Sequence, residues 1–246
     1  MEVREGSEPG LATAAAVIRK EAQAGRIEPL ARAASVVEAG VVADLMGQLG
    51  LSTFVDLGCW TGVLLEEVLR QAAPRRVLAV DAVPELLEIA RSRVDDPRVS
   101  FECVTLLPEA REVWDHEFRM PTNDSSSSGL FVESGVVVRA GPRRVLTEFL
   151  RERLASLDSA YLKLDVEGLD AIFVTDLLRA GMRFPVIHFE VLPWIDCGRA
   201  MDALRADGYV VPPLVDGHRF YSLACSRSSG VLVGFCPNRA YPAVRC

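Results

Sequence analysis

Long apolar runs are missing from this chain. No stretch approaches the roughly 18 residues that a membrane-crossing helix requires. The opening Met1-Glu-Val-Arg-Glu-Gly is acidic where a secretory leader would be basic and then apolar. The expectation is a cytoplasmic protein that does not engage a membrane. Positive charge is scarce too: 27 Lys and Arg stand against 34 Asp and Glu, and the formal net charge is -7. Without the basic footprint on which polyanion binding rests, nucleic acid is not an expected partner. Lysine occurs only as Lys20 and Lys163, an arginine and alanine bias that reads as GC-rich coding and not as function. No Cys-x-x-Cys pair occurs among Cys59, Cys103, Cys197, Cys225, Cys236 and Cys246. Most of these lie in apolar stretches, which favours free core thiols over disulfides or a zinc site. Disorder and collagen-like repeats are excluded by a chain that is half apolar and a quarter charged. Its 246 residues suit one large core, or a core with a small appendage.

What is present is alternation. Apolar residues Leu30, Ala34, Val37, Val41 and Leu45 recur at helical steps, so residues 1–50 read as a helical segment of two helices broken near Gly25 to Pro29. Their stripe would serve a homodimer or partner surface. Short apolar runs then predict strands at Thr53–Leu57, Arg76–Val80, Val99–Val104, Ala160–Asp165 and Val186–Val191, with helices near 62–72, 84–94, 145–155 and 169–180. Such alternation predicts an α/β, Rossmann-like fold: a mostly parallel central sheet with helices on both faces, spanning residues 51–246. After a helix at about 198–207, the runs Tyr209–Val211, Arg219–Cys225 and Val231–Cys236 leave no room for crossover helices and should pair antiparallel as a C-terminal addition. One break stands out at 107–144, which contains Pro121-Thr-Asn-Asp-Ser-Ser-Ser-Ser-Gly129 and is too long for a plain connector. It is either a lid or a floppy insertion.

The segment Phe54-Val-Asp-Leu-Gly-Cys-Trp-Thr-Gly62 reads as a strand ending in a glycine turn that opens a helix at Val63. Gly58 and Gly62 permit a tight turn that brings amide groups near a ligand, and the helix N-terminus favours a negatively charged ligand group. On the next strand, Val77-Leu-Ala-Val-Asp81 ends in an acid placed to accept hydrogen bonds from both hydroxyls of a ribose. Glycine turns and strand-end acids also occur in α/β folds that bind nothing there, but the combined arrangement points to a bound nucleoside cofactor. Two residues choose among nucleosides. Trp60 stands where the dinucleotide fingerprint needs its middle glycine, which disfavours a closely approached pyrophosphate. Asp56 suits an ammonium-bearing ligand better than a diphosphate. S-adenosylmethionine, with an α-ammonium, a sulfonium and no phosphate, meets both conditions.

At these residues the chain resembles class I S-adenosylmethionine-dependent methyltransferases. More narrowly, residues 53 to 192 resemble the FkbM family. Its first motif, Asp-x-Gly-Ala-x-x-Gly, is matched by Asp56-Leu-Gly-Cys-Trp-Thr-Gly62, and its signature Lys-Ile-Asp-Val-Glu-Gly-x-Glu by Lys163-Leu-Asp-Val-Glu-Gly-Leu-Asp170. A strand ending in Glu follows, as in that family, at Val186-Ile-His-Phe-Glu190, and Ser127-Ser128-Gly-Leu130 is similar to a short family element. The resemblance implies a bacterial-type O-methyltransferase acting on a small-molecule hydroxyl, on a sugar, polyketide or other secondary metabolite, with S-adenosylhomocysteine as product. It implies that Asp56, Gly58 and Gly62, together with the loop residues Cys59 and Trp60, line the methionine part of the cofactor. Asp81, with Ala82 beside it, takes the ribose. The usual acid at the end of the third strand is replaced by Val104-Thr105, leaving Thr105 as the adenine candidate. Residues 1–50 and 195–246 carry no family motif.

An alcohol has a pKa far above 7, so attack on a sulfonium methyl requires a group that takes the proton, or a metal that acidifies the hydroxyl. Carboxylates at strand ends are the available bases. Lys163 and Asp165 share a strand face, with Asp165 at the carboxyl end where ligands bind in open α/β sheets, and Glu167 in the loop beyond. The plainer reading is a structural Lys163–Asp165 pair with Glu167 capping the next helix. His188 and Glu190 share a face one strand along. His188 is a candidate base or a hydrogen-bonded core histidine, and Glu190 is nearer the strand end. His218 lies on a late turn and His116 has no supporting context. Asp165, Glu167 and Glu190 would hold Mg²⁺ if they converged, but no metal is predicted. Trp60 covers the cofactor or packs into its neighbours, and Trp114 and Trp194 line the expected mouth or the core. The competing readings are an NAD(P)-dependent oxidoreductase on the same sheet, and a catalytically silent interaction domain.

Overall fold

A computed structural model of the protein describes residues 15–20, 27–110, 114–122, 125–191, 196–211, 220–226, 231–232, 234–236, 239–240 and 244–245. In chain order the elements begin with α1 (15–20), α2 (Ile27–Leu49), β1 (Thr53–Leu57), α3 (Val63–Gln71), β2 (Arg76–Asp81), α4 (Pro84–Arg93) and β3 (Val99–Cys103). The insertion holds β4 (Thr105–Leu107), β5 (Arg119–Met120), β6 (Val136–Val137) and β7 (Arg143–Val145). Then follow α5 (Leu146–Arg153), β8 (Ala160–Leu164), α6 (Asp170–Arg179), β9 (Val186–Val191), α7 (Gly198–Ala206), β10 (Tyr209–Val210) and β11 (Phe220–Ser226). Short strands β12 (Val231–Leu232), β13 (Gly234–Cys236), β14 (Arg239–Ala240) and β15 (Val244–Arg245) complete the order.

Runs that are apolar at nearly every position become strands covered on both faces. Accordingly β3-β2-β1-β8-β9 form the parallel centre of the sheet. The connections run outward in opposite directions from β1 and β8, so the topological switch point, and the crevice beyond the strand ends that goes with it, lies between these two strands. On one side Val55, Leu57, Leu162, Leu164, Ile187 and Phe189 pack with Phe149 of α5, Phe173 of α6 and Leu204 of α7. On the other, Phe54, Val77, Tyr161 and Val186 pack with Val42, Leu45 and Met46 of α2 and with Leu65 and Val68 of α3. Alternate residues of each strand serve alternate faces.

The expected antiparallel addition is seen in the backbone pairing: β11 runs against β9 from Phe220↔Val191 to Cys225↔Val186, and β10, β13 and β14 build outward from it. Between residues 107 and 144 the described segments are knitted together. β4 turns off the main sheet to pair with β7, β5 pairs with β6, and Arg119 bridges Gly129. Polar residues hold the tract through their own side chains, as where the Ser128 hydroxyl donates to Ser125 O.

Helix α2 corrects the expected stripe. Val37, read as inward-facing, is 45% exposed, while Ser35, Glu38, Ala39, Val42, Leu45 and Met46 are buried. The inward face is rotated because part of what α2 covers is polar, as described below. Its apolar residues are used against α3 and the sheet. α1 buries Val17 against Val83, Leu86, Met120 and Val138; the break expected near Gly25 to Pro29 falls partly outside the described residues. No helix among the described residues is long and apolar enough to cross a membrane.

Candidate active site

At the centre of the sheet, register aligns Asp56 of β1 with Lys163 of β8 and His188 of β9. The Lys163 ammonium donates to Asp56 Oδ1 and Asp165 Oδ2, each at 3.2 Å. Burial alone would push this ammonium down, but Asp165, Asp56 and Glu38 override it and hold its pKa well above the ordinary value. Burial in turn lifts the Asp56 carboxyl despite Lys163. Asp56 is fully buried, and its Oδ2 has no hydrogen-bond partner.

The loop after β1 is tied inward. Gly58 has φ 84°, and a Cβ there would lie 1.8 Å from Asp165 O, so only glycine lets the β1 exit press on the β8 exit. The amides of Gly58 and Cys59 both donate to Val80 O, and that of Gly62 to Cys59 O. Trp60 N–H donates to Asp81 Oδ2 and Val83 N–H to Asp81 Oδ1, both at 2.9 Å. Amides expected to meet a ligand therefore hold the loop instead. The amides of Gly58, Cys59, Trp60 and Gly62 are thus turned away from a ligand. Trp60 takes a left-handed φ of 47° and its indole N–H donates to Ser125 Oγ at 3.0 Å, joining the loop to the insertion. Despite the two amides, burial lifts the Asp81 carboxyl to about 6. Burial also pushes the Cys59 thiol well up, keeping it neutral.

Beyond β8 the backbone turns through Glu167 at φ 52° and Gly168 at φ 98°. Glu167 does not cap α6: the Asp170 carboxylate accepts from Gly168 N–H and Val166 N–H, and burial together with Asp165 lifts it to about 7. The turn leaves Glu167 facing Asp165 and Glu190, and single carboxylate oxygens of the three lie within 4.8 Å of one another. Oxygens so grouped can share a proton, receive a substrate hydroxyl, or ligate a hard cation.

These side chains line one cavity of about 320 Å³ over the strand ends. Asp56, Gly58, Cys59, Trp60, Asp81, Ala82 and Thr105 lie along it with Asp165, Glu167 and Glu190. Ala82 O accepts from Gly141 N–H, and Thr105 donates to Gly141 O, so the exit of the insertion is fastened beside them. Two expected residues are elsewhere. Gly62 packs on α4, where a Cβ would stand 3.1 Å from Ala90 Cβ, because the helix start must approach that helix closely. His188 lies beneath the cavity wall, fully buried, with Nδ1 3.0 Å from the Tyr161 hydroxyl; burial and Lys163 hold its pKa well below the ordinary value, so it is a neutral core histidine. Trp114 packs at the core edge and donates to Pro108 O, and His116 is exposed against Phe131. Trp194 and His218 lie outside the described residues. Ser128 and Leu130 of the segment singled out in the insertion line the cavity, whereas sequence reasoning missed the wall supplied by α2, above all Glu38, and Ser125, Ser126 and Phe118 of the insertion. A polar residue on the buried side of a helix was the available signal for Glu38.

No protein-family model matches the chain, and no curated protein matches it. Among solved structures it is similar to an O-methyltransferase from Bacillus cereus in complex with SAH, at 12% identity over 90% of this chain and 94% of that one, with a TM-score of 0.49. It is also similar to the methyltransferase domain of a bacterial CtHen1, at 16% identity over 78% and 98%, with a TM-score of 0.46. A third is TrmK of M. capricolum in complex with S-adenosyl-homocysteine, at 10% identity over 75% and 68%, with a TM-score of 0.41.

Proposed function

We propose that the protein is an S-adenosylmethionine-dependent methyltransferase acting on a hydroxyl oxygen of a small molecule. The observation that carries this reading is the Asp56 carboxylate: fully buried, lining the cavity at the switch point, with Oδ2 lacking a hydrogen-bond partner. A buried acceptor of this kind calls for a donor from the ligand, and an ammonium supplies both donor and charge. The amides of Gly58, Cys59, Trp60 and Gly62, which a closely approached diphosphate would draw on, are already used within the protein. A nucleoside with an ammonium and no phosphate therefore suits the site better than a dinucleotide.

Asp81, Ala82 and Thr105 would hold the nucleoside part, since each Asp81 oxygen accepts one amide and retains capacity for a ribose hydroxyl. S-adenosylmethionine supplies a methyl group activated by its sulfonium. The chain's own contribution is to orient an acceptor hydroxyl and take its proton as the carbon–oxygen bond forms, for which Asp165, Glu167 and Glu190 stand together. What supports the narrower FkbM-type reading is that the two segments resembling that family meet here, Gly58 packing on the backbone of Asp165. In this reading the 107–144 insertion serves as the lid over the acceptor.

Calorimetric titration with S-adenosylmethionine, S-adenosylhomocysteine and NADH tests the proposal. Micromolar binding of the first two and none of NADH is expected. Binding of NADH, or of none of the three, overturns it.

A further inference from the structure

Helix α2 brings into the cavity a side chain that the reaction as outlined does not use. Ala31, Ala34, Ser35 and Glu38 recur at steps of three and four, share one side of the helix, and all line the cavity. Three are small, so the wall they form is thin; the fourth is Glu38. Glu38 is 5% exposed, and its Oε1 has no hydrogen-bond partner. Nε2 of His188 stands 3.7 Å from that oxygen, beyond hydrogen-bond reach. A carboxyl kept under a helix in this state is costly unless a ligand completes it.

The charge around it states what kind of ligand. Among the described residues lining the cavity, Glu38, Asp56, Asp81, Asp165, Glu167 and Glu190 carry carboxyls, and Lys163 alone carries a cationic side chain. Lys163 is held by Asp56 and Asp165. One S-adenosylmethionine, with two positive groups and one carboxylate, adds a single net positive charge, so the surplus of carboxyls persists when it is bound. An anionic acceptor would enter against that field, and a cationic one with it.

Resting on the cofactor reading above, we propose that Glu38 selects the acceptor, and that the acceptor is a small hydroxylated molecule bearing a protonated amine which donates to Glu38. Carboxylated and phosphorylated acceptors are rejected at the same place. Burial lifts the Glu38 carboxyl to about 8, with Asp165 and Asp56 raising it further and Lys163 opposing. His188 of β9 also faces it and is held neutral. At pH 7 the empty site therefore holds Glu38 largely protonated, and an arriving ammonium drives a proton from it into the buffer.

The test uses matched trios that differ only in charge: tyramine, 4-ethylphenol and 4-hydroxyphenylacetate, and glucosamine, glucose and glucuronate. S-adenosylhomocysteine affinity is measured first on wild type, Glu38→Gln and Glu38→Asp, then methyl transfer from labelled S-adenosylmethionine to each trio. Amine binding is titrated in two buffers of different ionisation enthalpy to count protons released. Transfer confined to the amines is expected, with a proton released at pH 7. Glu38→Gln should keep S-adenosylhomocysteine affinity within about twofold, raise KM for the amine at least tenfold and more than it lowers kcat, and abolish the proton release. Glu38→Asp should restore part of both. The inference is overturned if neutral or anionic members are used as well as the amines, if no amine binds a protein that binds S-adenosylhomocysteine, or if Glu38→Gln changes neither KM nor proton release. Failure of wild type to bind S-adenosylhomocysteine removes the cofactor reading and this inference with it, whereas binding without amine preference removes this inference alone.

Discussion

Strands β1, β8 and β9 present two faces built from alternate residues of the same three segments. Toward α5, α6 and α7 they offer Val55, Leu57, Leu162, Leu164, Ile187 and Phe189, all buried and all apolar. Toward α2 they offer Phe54, Tyr161 and Val186 and then, nearer the strand ends, Asp56, Lys163 and His188. The first face stabilises by removing apolar area from water. The second places ionisable groups out of water, where each depends on its neighbours for compensation. The difference assigns stability to one face and chemistry to the other, and substitutions on each face test that division.

The largest effects are expected from one substitution on each face. Phe189→Ala removes a fully buried ring and should lower unfolding free energy by about 3–5 kcal/mol. Lys163→Met leaves Asp56 and Asp165 without their ammonium, and breaking a buried pair costs a similar ~3–5 kcal/mol. Urea denaturation would show both losses. Under conditions where both variants are folded they should part: Phe189→Ala keeps S-adenosylhomocysteine affinity within a few-fold, and Lys163→Met loses it. Equal affinity in the two variants would end the division of labour.

A smaller effect is expected from Asp81→Asn. A hydrogen bond to a charged group contributes about 1.5–3 kcal/mol, so S-adenosylhomocysteine affinity should fall roughly tenfold to a hundredfold, with the denaturation midpoint little changed because Asn retains an acceptor for one amide. The acid itself makes the effect depend on pH. Its carboxyl sits at about 6, so wild-type affinity should weaken as pH falls below that value, and the Asn variant should lack the dependence.

Stability should show the opposite slope. Asp170, at about 7, is raised above its unfolded value by burial and by Asp165. The folded state therefore binds more protons than the unfolded chain between about pH 4 and 7. The contribution of such a group is fully present below its unfolded pKa and is lost as pH rises through the folded one. Across that window the slope of unfolding free energy with pH should thus be more negative in wild type than in Asp170→Asn, which lacks this contribution. Equal slopes in the two would place Asp170 outside the buried site.

The apolar face was legible from sequence because its pattern is redundant: every second position agrees, and one unusual residue would not shift the register. The turn after β1 was legible because Asp56 and Asp81 stand at fixed places on strands and Gly58 at the exit of the first. The convergence of Asp165, Glu167 and Glu190 was not legible, since it depends on the left-handed turn at Glu167, which no spacing encodes. Helix α2 misled for a physical reason. A hydrophobic stripe is read by assuming that the buried side is apolar, and here Ser35 and Glu38 are buried because they face the cavity. Gly62 differs again: its close approach to Ala90 already requires glycine at this place in the motif.

The smallest expected effect concerns the seam between the cofactor loop and the insertion. Trp60 joins them through one hydrogen bond, from its indole N–H to Ser125 Oγ, and it does so from a left-handed backbone conformation held by the Asp81 carboxylate on its amide. Trp60→Phe keeps an aromatic ring and the amide while removing that donor and part of the indole's packing. The loss should be about 0.5–1.5 kcal/mol, too little to unfold the protein but enough to raise the local opening rate of the Ser125–Ser127 turn several-fold. Hydrogen exchange over residues 125–130 would report it directly. If the insertion closes over an acceptor, bound S-adenosylhomocysteine should slow that exchange in wild type and slow it less in the variant. Exchange unaffected by either change would mean that the insertion is held by β4, β7 and the β5–β6 hairpin alone, and that it moves independently of the site.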